Sequence, residues 1–297
     1  MSCAYLFPGQ GAQYGGMGKE LYDRFEAARS LFAQADEVLG FALSDIMFHG
    51  SEEELRATKV TQPAIFVHSY VAYRCLADQA PDMVAGHSLG EYTALAVSGA
   101  LGFEDALRLV ALRAEVMQWC CQQQASGMAA VIKFDPDKIV EICAGITDEV
   151  VVAANYNSPQ QVVISGSMEG LRLAEERLRE AGARLIIPLN VGGAFHSPLM
   201  EPARERLGEV IQKTTFSKPL CPVYQNVSAS PENDVETIKQ QLLIQLTHPV
   251  LWTSSIQNMV ENGADWFIEC GPGNTLQNLT KRIDPAIKTD HILTKIP

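Results

Sequence analysis

A short apolar run that enters a glycine–serine–glycine turn, VAGHSLGEY at residues 84–92, constrains the fold more than any other stretch. The run is typical of a buried strand, and the residues after Gly90 follow a helical pattern. A strand that enters a helix through a tight turn indicates an α/β fold. The turn also matches G-x-S-x-G, a motif that lifts a serine hydroxyl out of a sheet as a nucleophile. The alternative for Ser88 is an ordinary turn of small residues.

A serine nucleophile needs a base, and the chain has six histidines. His196 lies in the glycine-containing loop GGAFHSP after a predicted strand, and His248 lies in a second loop before Pro249. Position alone ranks His196 first and His248 second as the base for Ser88. For either residue, the alternative is a histidine without a role in catalysis.

An arginine lies at the edge of the apolar face of the helix predicted for residues 102–119. At about 100° per residue, Arg113 projects roughly 60° from Val110 and roughly 40° from Met117. A cation there is costly unless an anion meets it. Three interpretations stay open: a buried ion pair with Glu115 or another acid, a side chain that extends to the surface, and a bidentate clamp for a substrate carboxylate.

The glycine turn GQGAQ at residues 9–13 follows the first predicted strand. It lacks the lysine and the length of a P-loop, so phosphate binding is not expected. A backbone N–H of this turn could complement the amide after Ser88 in an oxyanion hole. A simple tight turn is the alternative.

The hydrophobic pattern of the chain changes near residue 125. Before that point it predicts long helices, among them residues 21–39 and 62–76. Between residues 125 and 192 the predicted order is β-α-β-β-α-β, which is the ferredoxin-like arrangement. The sequence therefore predicts a large α/β-hydrolase-like domain of residues 1–124 and 193–297 that carries an inserted, small ferredoxin-like α+β domain of residues 125–192.

Charge and composition exclude several function classes. The formal net charge of −12 disfavours binding to nucleic acid and to anionic membrane surfaces. No stretch approaches the roughly 20 apolar residues of a membrane span, and the N-terminus lacks a signal-peptide pattern. The seven cysteines are scattered and form no C-x-x-C pair, which favours free thiols in a reducing compartment. We therefore expect a cytoplasmic protein.

Eight motifs, in one order along essentially the whole chain, resemble those of the malonyl-CoA:acyl carrier protein transacylase family. They are FPGQGAQ at 7–13, TQPA at 61–64, AGHSLGEYTAL at 85–95, Arg113 with Met117, NYNSPQQVVISG at 155–166, AFHSPLM at 194–200, HPVLW at 248–252 and GPGNTL at 271–276. With little sequence after the last motif, the chain resembles a free-standing enzyme of fatty-acid synthesis or a discrete trans-acting polyketide acyltransferase.

The resemblance implies a catalytic role for several residues. Ser88 would accept the acyl group from the substrate. His196 would be its base, oriented by a backbone carbonyl near Gln245 in place of the acid of a triad. Gln10 and Leu89 would supply the amides of an oxyanion hole.

The resemblance also implies the substrates, which are malonyl-CoA and acyl carrier protein. Arg113 would hold the malonyl carboxylate, while Met117 and Asn155 would line the cleft. Phe195 would favour malonyl over methylmalonyl, because a large ring beside the α-carbon leaves less room for a branch. No metal or cofactor is expected, since phosphopantetheine arrives on both substrates, and a monomer is expected.

Three other functions compete with this interpretation. A proofreading acyl hydrolase would use the same Ser–His pair, but uncharged acyl chains gain nothing from a cation at residue 113. A general serine esterase is disfavoured because no Ser…Asp…His order is evident. A non-catalytic module that docks carrier protein is disfavoured because Ser88, His196 and Arg113 are all present.

The family's carrier protein is acidic, so a chain with a net charge of −12 needs a local basic rim to dock it. Arg184, Lys281 and Arg282 are candidates for this rim. Scattered, solvated cations are the alternative for each of them.

Overall fold

The computed structural model describes residues 2–296 as a mixed α/β protein with two sheets. The strands are β1 (Ser2–Phe7), β2 (Met83–Gly86), β3 (Ser126–Ile132), β4 (Val151–Ser158), β5 (Gln161–Ser167), β6 (Leu185–Pro188), β7 (Val223–Tyr224), β8 (Pro231–Glu232), β9 (Ala264–Glu269) and β10 (Lys288–His291).

Thirteen α-helices connect and cover the strands of residues 2–296. They are α1 (Lys19–Arg24), α2 (Glu26–Leu39), α3 (Leu43–His49), α4 (Glu52–Arg56), α5 (Thr58–Leu76), α6 (Gly90–Val97), α7 (Phe103–Gln123), α8 (Pro136–Ala144), α9 (Met168–Glu180), α10 (Glu201–Lys213), α11 (Val235–Ile244), α12 (Trp252–Glu261) and α13 (Thr275–Ile283). Short 3-10 turns occur at Pro198–Met200 and Ile292–Lys295.

The larger sheet has the strand order β10-β9-β1-β2-β7-β8 and is parallel except for the last pair. Its central strand β1 is buried from Cys3 to Phe7 because both faces of the sheet are covered there. Tyr5 and Phe7 pack into one hydrophobic cluster, whereas Ala4 and Leu6 pack into the other. The carboxyl ends of β1, β2 and β7 therefore meet at one edge of this sheet.

The smaller sheet is antiparallel, with the order β4-β5-β3-β6, and is built entirely from residues 126–188. Ala129 and Val131 of β3 pack into a separate cluster with α8 and α9. Met128 and Ala130 of the same strand pack against the main core. The smaller sheet is thus fixed to the rest of the protein by one of its faces.

Two of the predicted helices differ from the observed ones. Residues 21–39 form two helices, because Phe25 is extended (φ −119°, ψ 126°) and ends the first at Arg24. The helix predicted for residues 62–76 begins at Thr58 and accommodates Pro63. All seven cysteines are free thiols, as predicted. Along residues 2–296, no helix is both long and apolar enough to cross a membrane.

Candidate active site

Ser88 lies in a strained turn between β2 and α6. Its φ of 51° is in the left-handed region, which a non-glycine residue rarely adopts. The flanking glycines allow a very close backbone approach. A Cβ on Gly86 would lie 1.9 Å from the Gly90 carbonyl, and a Cβ on Gly90 would lie 2.0 Å from the Phe7 carbonyl oxygen. The turn therefore has the geometry of a nucleophile elbow.

His196 hydrogen-bonds the Ser88 hydroxyl, with 2.8 Å between Nε2 and Oγ. On the other side of the ring, Nδ1 lies 2.8 Å from the backbone carbonyl oxygen of Gln245. A carbonyl can only accept, so Nδ1 carries the proton and Nε2 is free to accept one from Ser88. His196 also has a left-handed backbone, with φ 58°.

The surroundings of His196 keep its ring neutral. Burial, with a further contribution from the positive charge of Arg113, lowers the pKa of His196 to about 3. A neutral imidazole is the form that can accept a proton. The second-ranked histidine, His248, is exposed and hydrogen-bonds the Ile244 carbonyl at 3.0 Å, so it is not the partner of Ser88.

Arg113 is buried, with 1% of its surface exposed, and its guanidinium lies against Ser88. Nη2 donates to the Ser88 hydroxyl at 2.9 Å and to the Gln245 side-chain oxygen at 3.2 Å. Nη1 donates to the Gln62 side-chain oxygen at 2.7 Å. The guanidinium also lies over the Tyr92 ring, 5.6 Å from its centroid.

Two of the three interpretations of Arg113 are wrong. It does not reach the surface, and Glu115 instead pairs with Arg206 at 3.7 Å on the outside of the protein. Among residues 2–296, no acid forms an ion pair with Arg113, and its Nε–H has no partner. Burial lowers the pKa of Arg113, while Tyr92 and Glu91 oppose that shift. The site thus contains a buried cation facing a hydroxyl, which is an environment suited to an anionic ligand.

A cavity of about 190 Å³ opens above Ser88. Gln10, which follows β1, and Leu89, which follows the serine, both line it. Within residues 2–296, neither of their backbone N–H groups donates to another group. These two amides are therefore available to an oxyanion beside Ser88.

The remaining predicted site residues form walls of the same cavity. Met117 comes from α7, Asn155 from β4 of the smaller sheet, and Phe195 from the loop that carries His196. Asn155 is 5% exposed and pairs with Val250 across the two parts of the molecule. Eight of the nine predicted catalytic and substrate-binding residues line this one cavity, and the ninth, Gln245, is hydrogen-bonded to His196. The eight are Gln10, Ser88, Leu89, Arg113, Met117, Asn155, Phe195 and His196.

Three polar residues near the site were missed by the sequence analysis. Gln62 holds Arg113, and Asn226 accepts a hydrogen bond from the Ser88 backbone N–H at 2.7 Å. Glu91 is fully buried, and burial raises its pKa to about 7. Gln62 and Glu91 are polar residues in apolar helical segments, which is a signal that could have found them. Asn226 lies in a short loop and carries no such signal.

The candidate docking cations Arg184, Lys281 and Arg282 are all exposed, and none of them lines the cavity. Over the part of the chain that the structure describes, no group of three or more His, Cys, Asp or Glu side chains could hold a metal ion.

Comparisons with known proteins identify the family of the chain. The family model described as "Acyl transferase domain" matches residues 4–289. A malonyl CoA-acyl carrier protein transacylase of Bacillus subtilis (strain 168) is 42% identical over 290 residues, which cover 96% of this chain and 92% of the relative.

Solved structures give the same result. The malonyl CoA-acyl carrier protein transacylase of Coxiella burnetii superimposes with a TM-score of 0.95 at 38% identity, covering 100% of this chain and 97% of that one. A type II polyketide synthase acyl-carrier protein in complex with its malonyl-transacylase gives a TM-score of 0.93 at 36% identity, covering 100% and 99%.

Proposed function

The chain belongs to the acyl transferase domain family, in the group of malonyl-CoA:acyl carrier protein transacylases, and from this premise we propose its reaction and the residues that perform it. The enzyme moves a malonyl group from malonyl-CoA to the pantetheine thiol of an acyl carrier protein. One observation supports an acyl group that bears an acid: Arg113 is a buried cation beside the Ser88 hydroxyl, and no acid of residues 2–296 pairs with it.

In the first half-reaction, the Ser88 hydroxyl attacks the thioester carbonyl of malonyl-CoA. His196 Nε2 accepts the hydroxyl proton and then gives it to the departing CoA sulfur, which leaves as a thiol. The hydrogen bond from Nδ1 to the Gln245 carbonyl supports this role, because it fixes the orientation of the ring. The product is a malonyl ester of Ser88.

The negative charge that develops on the carbonyl oxygen needs hydrogen-bond donors. The amides of Leu89 and Gln10 are in position to provide them, and each such donor in other enzymes contributes about 10²–10³ in rate. The α6 helix begins immediately after this point and adds the positive end of its dipole.

Arg113 then serves as the anchor of the malonyl carboxylate. Its guanidinium exchanges hydrogen bonds within the site for a two-pronged contact with the carboxylate, while Gln62 continues to hold Nη1. This contact fixes the thioester carbonyl against the two amides. It also keeps the malonyl chain in place over the ester, which disfavours productive attack by water.

In the second half-reaction, the pantetheine thiol of the carrier protein attacks the malonyl ester in the same cavity. His196 takes the thiol proton and returns it to Ser88, so the enzyme is regenerated by a ping-pong sequence. Met117, Asn155 and Phe195 form the walls that guide both thiols. Phe195 also narrows the space beside the α-carbon, which favours malonyl over methylmalonyl.

The proposal also includes the fold type of each part of the chain, the location of the protein in the cell and its oligomeric state. We interpret residues 125–192 as a ferredoxin-like domain, supported by the order β4-β5-β3-β6 and by the two helices on one face. Residues 1–124 and 193–297 are interpreted as an α/β-hydrolase-like domain, supported by the elbow at a parallel strand. A cytoplasmic monomer without a metal or cofactor stays a prediction.

The proposal is tested by the intact mass of the protein after separate mixing with malonyl-CoA, acetyl-CoA and methylmalonyl-CoA. We expect a malonyl adduct on Ser88 that disappears when phosphopantetheinylated carrier protein is added and reappears on the carrier. Acetyl loading followed by release to water would instead support the proofreading hydrolase.

A further inference from the structure

One buried side chain holds the backbone on the N-terminal side of the candidate nucleophile. The Asn226 side-chain oxygen accepts the Ser88 backbone N–H at 2.7 Å, and its amide nitrogen donates to the Gly86 carbonyl at 2.7 Å. Asn226 is 1% exposed, so water does not compete for these bonds. A single amide therefore clamps the turn across His87, the residue that precedes Ser88.

Asn226 is in turn fixed by a buried acid. Its backbone N–H donates to the Glu91 carboxylate at 2.8 Å, and its carbonyl accepts from Leu251 N–H at 2.9 Å. Glu91 is 0% exposed, and it forms no ion pair within residues 2–296. The second carboxylate oxygen of Glu91 has no partner there either. Burying a carboxyl group in this way is costly, and the hydrogen bond that it accepts from the Asn226 N–H orients Asn226.

The clamp has two consequences for the turn. It fixes the N-terminal side of Ser88, while Gln245 Nε2 donates to the Ser88 carbonyl at 3.0 Å on the other side. Together these bonds support the Ser88 φ of 51°, a conformation that persists only where the surroundings impose it. The clamp also occupies the Ser88 N–H, so the Leu89 N–H is the elbow amide that remains free for an oxyanion.

We propose that Asn226 is a positioning residue for Ser88 and that Glu91 sets the position of Asn226. This inference rests on the proposed function, because it presupposes that Ser88 is the nucleophile. Asn226 acts through the backbone of residues 86–88. It therefore affects the orientation of the Ser88 hydroxyl and leaves the binding of the acyl group unchanged.

The first test measures the rate at which a fluorophosphonate labels Ser88. In this reaction the Ser88 oxygen bonds to phosphorus, fluoride leaves, and the hydroxyl proton passes to solvent through His196. We expect Asn226→Ala to slow labelling about 100-fold, since a misplacement of about 1 Å has effects of that size. Asn226→Asp keeps the acceptor and loses the donor, so we expect a loss of roughly tenfold, intermediate between wild type and Ala.

The Glu91 half of the inference has its own pair of variants. Glu91→Ala removes the acceptor for the Asn226 N–H, and we expect labelling to slow roughly tenfold. Glu91→Gln keeps an acceptor oxygen of the same reach and should restore the rate to near that of wild type. Asn258→Ala is the matched control, because Asn258 also donates to a buried backbone carbonyl, that of Ala229, without contacting the elbow.

A second readout separates positioning from general damage. In single-turnover malonyl loading, the maximal rate should fall in Asn226→Ala, while the malonyl-CoA concentration that gives half of that rate stays unchanged. Thermal midpoints establish that each variant is folded. Should Asn226→Ala fail to fold, the isosteric Asn226→Asp decides the question.

The inference about Asn226 is wrong if a folded Asn226→Ala or Asn226→Asp variant is labelled at a rate within twofold of wild type. The inference about Glu91 is wrong if Glu91→Gln and Glu91→Ala lose equal fractions of the labelling rate. The two proposals fail differently. Wild-type protein that is labelled at Ser88 but never takes malonyl refutes the proposed function alone. Wild-type protein that is not labelled at Ser88 refutes both.

Discussion

The two sheets contribute to the site in different ways. The larger, parallel sheet positions residues that we propose to act on the acyl group or to place the nucleophile, because Gln10, Ser88 and Asn226 follow three neighbouring strands at the same carboxyl edge. The smaller, antiparallel sheet contributes Asn155 and other wall residues but no group within hydrogen-bond distance of the Ser88 hydroxyl. The difference indicates that chemistry depends on one sheet and the shape of the cleft on the other.

The sharpest test of this difference between the two sheets removes the side chains proposed to react, Ser88 and His196. We expect Ser88→Ala and His196→Ala each to lower the transfer rate about 10⁶-fold, as removal of such residues does in serine hydrolases. Transfer of radiolabelled malonyl to carrier protein measures the loss, with the thermal midpoint as the control for folding. A malonyl adduct in Ser88→Ala would show that another residue carries the acyl group.

Arg113 should have the next largest effect, and it should be selective. We expect Arg113→Ala to lower malonyl loading about 10²–10³-fold, the scale for losing a buried charged partner, while acetyl loading does not fall. Intact mass after each acyl-CoA measures both. Arg113→Lys is the matched control. It keeps the positive charge but cannot make the two-pronged contact of a guanidinium, so it should recover part of the malonyl-loading rate.

The same variant should also hydrolyse its acyl group faster. If Arg113 holds the malonyl chain over the ester, the malonyl-enzyme is stable in the absence of carrier protein, and its half-life shortens when residue 113 is altered. A wild-type malonyl-enzyme that hydrolyses as fast as the variant would contradict this explanation of how water is kept from reacting.

The pH dependence of Ser88 labelling should report the environment of His196. Burial, with a further contribution from Arg113, lowers its pKa to about 3 in the folded protein. The base is therefore neutral above that pH, so its protonation should reduce the labelling rate only as the pH falls toward 3. Arg113→Ala removes one cause of the shift, and the acid limb should move to higher pH. An inflection near 6.5 in wild type would contradict this picture.

A smaller effect is expected in the smaller sheet. Among residues 2–296, the wall residue Asn155 forms no hydrogen bond with Ser88. We therefore expect Asn155→Ala to lower malonyl transfer less than tenfold, through the KM for malonyl-CoA or carrier protein. Steady-state kinetics with both substrates measure the change. A loss of transfer rate as large as that of His196→Ala would show that the smaller sheet takes part in the chemistry, and would contradict the proposed difference between the two sheets.

The elements that follow a strong local pattern were predictable from the sequence. The strand before Ser88, the helix that carries Arg113 and the strands of residues 126–188 are all found near their predicted positions. The break at Phe25 was not predicted, because its side chain keeps the helical spacing while its backbone is extended.

The candidate site was predictable where motifs mark it and not where long-range contacts build it. Asn226 contacts Ser88 across 138 residues of sequence, and Gln62 contacts Arg113 across 51. Contacts between residues so far apart along the chain leave no periodic pattern in the sequence. Whether Arg113 forms an ion pair with Glu115 also depended on the direction of the Glu115 side chain, which lies on the outside of the protein beside Arg206.

The position of β1 affects how the chain is made as well as how it works. This strand is synthesised first, yet one of its two neighbours, β9, ends only at Glu269. At roughly 5–20 residues per second, that neighbour is missing for tens of seconds of translation. Until then an apolar strand has an open edge, which is the kind of surface that aggregates or recruits a chaperone. A truncation that removes β9 should therefore lower the solubility of the protein even though Ser88, Arg113 and His196 are all retained.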